Sequence, residues 1–202
     1  MRHAGAGMTE QVAVLLLAGG EGRRMGGQDK GLLPWGGQAL YRHVLVRLAP
    51  QAGWLAISAN RHLDDYATSG HAVFADEAAW QGMGPLAGVA SLADKLPDGI
   101  DYVQLVPCDA PLLPADLVAR QLAILQAERR ADACCPYTIN GPQPVCALLR
   151  RSALARLPDY LASGGRSLRG FLALLDCRIV NFDDTRAFSN LNDPQSLAQL
   201  GQ

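Results

Sequence analysis

Val12-Ala13-Val14-Leu15-Leu16-Leu17 runs directly into Ala18-Gly19-Gly20-Glu21-Gly22-Arg23-Arg24-Met25-Gly26-Gly27-Gln28-Asp29-Lys30-Gly31. An unbroken apolar run ending in glycine reads as a strand covered on both faces, because a half-exposed strand alternates apolar with polar positions. The glycines let backbone N–H groups approach an anion, and Arg23, Arg24 and Lys30 supply positive charge beside them. A loop with solvated charges is the plainer reading of the same residues. Two familiar spacings fail: Lys30 stands between Asp29 and Gly31 rather than in a Gly-Lys-Ser/Thr sequence, and Gly20-Glu21-Gly22-Arg23-Arg24 is followed by Met25 where a dinucleotide fingerprint needs glycine.

Outward from this stretch, strand and helix patterns alternate. Leu40, Val44, Leu45 and Leu48 recur on one helical face, as do Leu86, Val89, Ala90 and Ala93, and then Val118, Leu122 and Leu125. Residues 54–59, 71–75 and 102–106 read as strands, and Pro114 and Asp116 suit the start of the third helix. In the last third, 133–139 and 144–149 read as strands flanking an Asn140-Gly141 turn, 168–175 and 194–200 as helices, and 178–182 as extended chain. Right-handed crossovers between such elements give a Rossmann-like, three-layer α/β/α fold with a mostly parallel sheet. The expectation is one domain over residues 1–202, with 1–10 a loose extension.

Composition narrows the class. With 49% hydrophobic residues the chain can bury a core, and its net charge of −1 lacks the basic excess of a phosphate-neutralising nucleic-acid binder. Only Lys30 and Lys95 are lysines, so Lys30 marks a position suited to a compact ammonium. Five cysteines with no C-x-x-C pair, and four scattered histidines, form neither a disulfide framework nor a zinc pattern. The apolar run at 12–18 is too short for a membrane span and follows Glu10 and Gln11, so a cytoplasmic chain without membrane contact is expected.

In open α/β sheets ligands sit beyond the carboxyl ends of the strands. The polar residues fall there: the glycine loop after the first strand, Asn60 after the second, Asp76 after the third and Asp109 after the fourth, within Pro107-Cys108-Asp109-Ala110-Pro111. Taken singly, Asp109 also serves as a turn organiser, Asp76 as a solvated acid, and Asn60 as a residue tolerant of left-handed backbone. Cys108 reads as a packed small hydrophobe. Residues 84–88 open an apolar helix whose glycines serve either a ligand or close packing.

The order Leu-Ala-Gly-Gly-x-x-x-Arg-Met-Gly-Gly-x-Asp-Lys resembles the signature loop of nucleotidyltransferases that activate sugars, isoprenoids and molybdopterin. The likeness is closest to the molybdenum cofactor guanylyltransferases, and continues through Ala59-Asn60-Arg61, Asp76, Gly84-Pro85-Leu86-Ala87-Gly88, Pro107 to Pro111, and Phe188-Ser189-Asn190-Leu191-Asn192-Asp193-Pro194. That resemblance implies transfer of GMP from GTP to the terminal phosphate of molybdopterin, with or without molybdenum, and release of pyrophosphate. It implies that Leu17, Ala18 and Gly19 hold the guanine nucleotide through backbone groups, that Asn60 and Asp76 belong to the GTP site, and that Lys30 contacts the phosphates. Asp109 would bind Mg²⁺ with the nucleotide, Arg24 would touch phosphate or molybdopterin, and Asn190 and Asn192 would lie at the pterin end. Related cytidylyltransferases commonly carry Leu-Ala-Ala-Gly at this point, so Gly19 implies GTP over CTP. Transient docking to other molybdenum-cofactor biosynthesis proteins or molybdoenzyme chaperones is a further expectation. The rivals are another nucleotidyltransferase, such as a molybdopterin cytidylyltransferase, and a nucleotide-binding regulator without turnover.

Overall fold

The computed structural model describes residues 9–19 and 28–190. Its strands are β1 (Val12–Leu17), β2 (Pro34–Trp35), β3 (Gln38–Ala39), β4 (Trp54–Ser58), β5 (Ala72–Phe74), β6 (Tyr102–Pro107), β7 (Ala133–Thr138), β8 (Gly141–Pro142), β9 (Leu148–Arg150) and β10 (Cys177–Asn181). Its α-helices are α1 (Leu40–Leu48), α2 (Leu63–Ala67), α3 (Pro85–Ala93), α4 (Leu117–Ala127), α5 (Leu157–Ala162) and α6 (Leu168–Leu172). The main sheet runs β10-β7-β9-β6-β1-β4-β5, with β8 beside β7.

β1 explains the layering. Side chains alternate across a strand, so Val12, Val14 and Leu16 enter one core with Tyr41, Val44 and Leu48 of α1 and Val118, Leu122 and Leu125 of α4. Ala13 and Leu15 enter the other with Leu86, Val89 and Leu92 of α3 and Phe171 and Leu172 of α6. Both faces of β1 are therefore dry, as its apolar run requires, and the sheet lies between two helical layers.

β1 pairs in parallel with β4 and β6, β4 with β5, and β7 with β10, while β9 is antiparallel to both β6 and β7. The reversal follows from chain length: a parallel return needs a crossover of roughly a dozen or more residues, and the Asn140-Gly141 connection is a hairpin. Inside it the strand expected over 144–149 is divided. Pro144–Cys146 is a 3-10 turn and the strand begins only at Leu148, since Pro144 has no N–H for a ladder. Buried glutamines hold the break: Gln104 Nε2 donates to the Cys146 carbonyl at 2.7 Å, and Gln121 Oε1 accepts from Leu148 N at 3.0 Å.

Other boundaries shift modestly. The strand expected over 71–75 contracts to β5, and the helix over 168–175 ends at Leu172 after Ser167 Oγ caps it by accepting from Gly170 N at 3.0 Å. The helix expected over 194–200 lies outside the described residues, as does most of the extension at 1–10. Sequence reading missed the β2–β3 hairpin, whose two-residue Gly36-Gly37 turn takes φ of 55° and 82°, and the short helix α2. No described helix is long and apolar enough to cross a membrane.

Candidate active site

The parallel strands end abreast. Leu17 stands beside Ser58 and Pro107, and Ser58 beside Phe74. One further hydrogen bond prolongs each pairing: Ala18 N to Ser58 O at 2.8 Å, Ala59 N to Phe74 O at 2.9 Å, and Cys108 N to Leu17 O at 3.2 Å. The loops carrying Gly19, Asn60, Asp76 and Asp109 thus leave the sheet at one edge, the carboxyl edge where doubly wound sheets place ligands.

A cleft of about 800 Å³ opens there, lined by Leu17, Gly19, Ser58, Asn60, Asp76 and Gly88 among others. That volume lies in the range of small-ligand sites. Asn60 and Asp76 lock together: Asn60 Nδ2 donates to Asp76 Oδ2 at 2.7 Å, and Asp76 N donates to Asn60 Oδ1 at 2.8 Å. Asp76 is therefore a braced acid rather than a freely solvated one. The left-handed backbone allowed for Asn60 falls instead on His62, with φ 53°. Gly88 brings α3 against β4, since a Cβ there would sit 2.1 Å from Ser58 Oγ. Gly88 thus serves close packing at the wall of the cleft, and Gly84, with φ 74°, lines the same cleft. At Gly19 a Cβ would come 3.3 Å from Asn60 Nδ2, so the missing side chain also makes room for the Asn60 amide.

Lys30 and Asp109 form a second group at the same edge. Lys30 Nζ lies 3.5 Å from Asp109 Oδ2, and Asp109 is only 6% exposed. Burial raises the pKa of the Asp109 carboxyl, against the pull of Lys30 and of hydrogen bonding. Neither residue lines the cleft itself; the Leu17–Pro107 pairing joins the two groups across one strand. Among the described residues no three His, Cys, Asp or Glu side chains cluster as a metal cage. A single buried carboxylate fits Mg²⁺, which commonly takes one or two carboxylates and completes its shell with water and substrate phosphates.

Arg24 and Asn192 lie outside the described residues, and Asn190, which is exposed, is not among the cleft-lining residues. Arg166 donates to the carbonyls of Leu161 and Gly165. Val145 reaches the cleft from the irregular third of the chain. Burial pushes the Cys108 thiol up, in keeping with packing rather than nucleophilic attack. Sequence reading gave no role to Ser58, which is 4% exposed, to Asp29 or to Tyr66. For Tyr66 the available signal was one aromatic beside Asp64 and Asp65.

A family model described as the MobA-like NTP transferase domain matches residues 14–178. The chain is 39% identical over 196 residues to the molybdenum cofactor guanylyltransferase of Shewanella amazonensis, covering 96% of this chain and 98% of that one. It is 44% identical over 206 residues to the protein of the same name from Burkholderia lata, covering 98% of each. In fold it resembles the crystal structure of molybdopterin-guanine dinucleotide biosynthesis protein A from Archaeoglobus fulgidus, with TM-score 0.72, 21% identity, and 93% and 95% of the two chains covered. A CMP:2-keto-3-deoxy-manno-octonic acid synthetase complexed with CTP gives TM-score 0.75 at 12% identity, covering 95% of this chain and 97% of that one. The chain belongs to the MobA-like NTP transferase family and, within it, is a nucleotidyltransferase of the molybdenum cofactor guanylyltransferase group.

Proposed function

We propose that the protein transfers GMP from GTP to the terminal phosphate of molybdopterin, forming the guanine dinucleotide and pyrophosphate. The observation that carries this reading is the placement of Leu17, Gly19, Asn60 and Asp76 around one cleft, with Lys30 and Asp109 at the same edge, in a chain 39–44% identical to relatives named for guanylyl transfer. An oxygen of the acceptor phosphate bonds to the α-phosphorus, and the bond from that phosphorus to the bridging oxygen breaks, leaving pyrophosphate. No protein nucleophile is needed.

Each group has a distinct task. Backbone groups of Leu17, Ala18 and Gly19 hold the guanine, with Asn60 fixed by Asp76 at the wall of the cleft. Lys30 offsets charge on the triphosphate as two anions are brought together. Asp109 holds Mg²⁺, which when bound neutralises phosphate charge. Arg24 contacts phosphate or molybdopterin, Asn190 and Asn192 belong to the acceptor side, and the reaction is cytoplasmic. Incubation with GTP, Mg²⁺ and molybdopterin, followed by mass detection, tests the proposal. A guanine dinucleotide and a clear preference for GTP over CTP are expected; equal or faster turnover with CTP contradicts the choice of base.

A further inference from the structure

Asp29 precedes the lysine that faces Asp109, and it is 9% exposed. Its Oδ1 accepts from Tyr66 Oη at 2.6 Å and from the Gly31 backbone N–H at 3.1 Å. Lys30 stands between these anchors as the first residue of the 3-10 turn Lys30–Leu32, which Asp29 caps. Tyr66 is fully buried, and its ring meets Tyr41 edge to face at 4.9 Å. A Cβ at Gly31 would lie 2.4 Å from Tyr66 Oη and 3.2 Å from Cys108 Cβ. The lysine-bearing turn is thus wedged between Tyr66 and the residue before Asp109.

A buried carboxylate is a poor choice where stability alone is needed, because an apolar side chain of similar size usually serves as well. A short O–H···O⁻ bond does something else: it fixes one backbone point with defined direction. Burial, Cys108 and Asp29 all raise the Tyr66 pKa, so the phenol stays a donor. Lysine has a flexible four-carbon stem, and fixing its backbone limits where the ammonium can go before a ligand arrives. Tyr66 sits in α2, just after the loop that carries Asn60 into the cleft. One tyrosine therefore ties the cleft loop to the lysine turn.

We infer that Asp29 and Tyr66 are positioning residues that set Lys30 for the nucleotide's phosphates. The inference deepens the nucleotide-site reading above and rests on it for the identity of the ligand, though not for the contacts. The chain has two lysines, Lys30 and Lys95, so protein carbon-labelled at the lysine ε position gives two side-chain signals. Lys95 pairs with Glu77 elsewhere and serves as internal control. In ligand-free protein, Tyr66→Phe and Asp29→Ala are to displace the Lys30 signal and leave that of Lys95 in place. Asp29→Asn, whose amide oxygen still accepts from both donors, is to displace it less.

Calorimetric titration with GTP and Mg²⁺ supplies the second readout. Tyr66→Phe is to weaken binding up to about tenfold, a part of the loss expected for Lys30→Ala because misplacing the ammonium cannot cost more than removing it, but less than about twofold in a Lys30→Ala background, since additivity fails for residues acting through one another. An unmoved Lys30 signal in both variants, or the same weakening with and without Lys30, overturns the inference. Should the unaltered protein bind no GTP, the functional reading falls, and the lysine spectrum still decides whether Asp29 and Tyr66 set Lys30.

Discussion

Along β6, β1, β4 and β5 every pairing is parallel and the last paired residues stand abreast, whereas β9 runs against both its neighbours and a 3-10 turn separates it from β8. The parallel half needs no special device to gather its loops, because Leu17, Ser58, Phe74 and Pro107 are neighbours in the ladder. The hairpin half reaches the cleft through Val145, and its turn is held by a buried amide chain in which Gln121 Nε2 donates to Gln104 Oε1 at 2.9 Å. Regular pairing thus gathers the loops of one half at the cleft, while buried polar bonds hold the turn that brings Val145 to it from the other. If that division is right, substitutions in the two halves should damage different properties.

The largest effect belongs to Asp109 in the parallel half. Asp109→Ala is expected to reduce turnover by roughly 10²–10³-fold, the scale for losing one preorganised electrostatic group. Initial rates of pyrophosphate release at saturating Mg²⁺ measure it, and near-normal Mg²⁺-dependent activity would leave Asp109 as a turn organiser. Lys30→Ala comes next, with GTP affinity falling about 10- to 100-fold, as expected for a charge-assisted hydrogen bond.

Gln121→Met tests the other half. It strands Gln104 Oε1 and Leu148 N, both partners of a glutamine that is fully buried. A cost of about 1–3 kcal/mol is expected, read as a lower melting temperature, with GTP affinity changed less than by Lys30→Ala. A Gln121 variant that loses GTP binding as completely as Lys30→Ala would dissolve the division between halves. At the small end, Ile139→Ser alters a side chain that is 91% exposed at the hairpin tip. Its stability should stay within about 0.5 kcal/mol of the parent in chemical denaturation.

Thiol chemistry gives a further contrast between surface and core. Burial pushes Cys134 and Cys135 up to about 12 and Cys177 up to about 11. At neutral pH the folded protein should therefore alkylate slowly at all three, and reach them only on unfolding or at strongly alkaline pH. Rapid labelling of any of them at neutral pH would show the β7–β10 edge opening readily.

Legibility in the sequence follows the same division. β1 appeared with its observed bounds because seven apolar residues in a row have one economical placement, and Leu40, Val44, Leu45 and Leu48 marked the buried face of α1. The common edge of Asn60, Asp76 and Asp109 was legible because each follows a strand whose end was already readable. The strand expected over 144–149 failed where tertiary bonds from Gln104 and Gln121 favour a turn over a ladder, and those bonds join positions far apart in the chain. Asp29 and Tyr66 were missed for that reason too. Their bond spans 37 residues, and neither periodicity nor local spacing registers it.

The most direct test of the central claim is a crystal structure of the protein with GTP and Mg²⁺. Guanine should lie against Leu17, Ala18 and Gly19, with the α-phosphate within contact of Lys30 and the metal on Asp109. A triphosphate bound elsewhere, with the Lys30–Asp109 pair undisturbed, would contradict it.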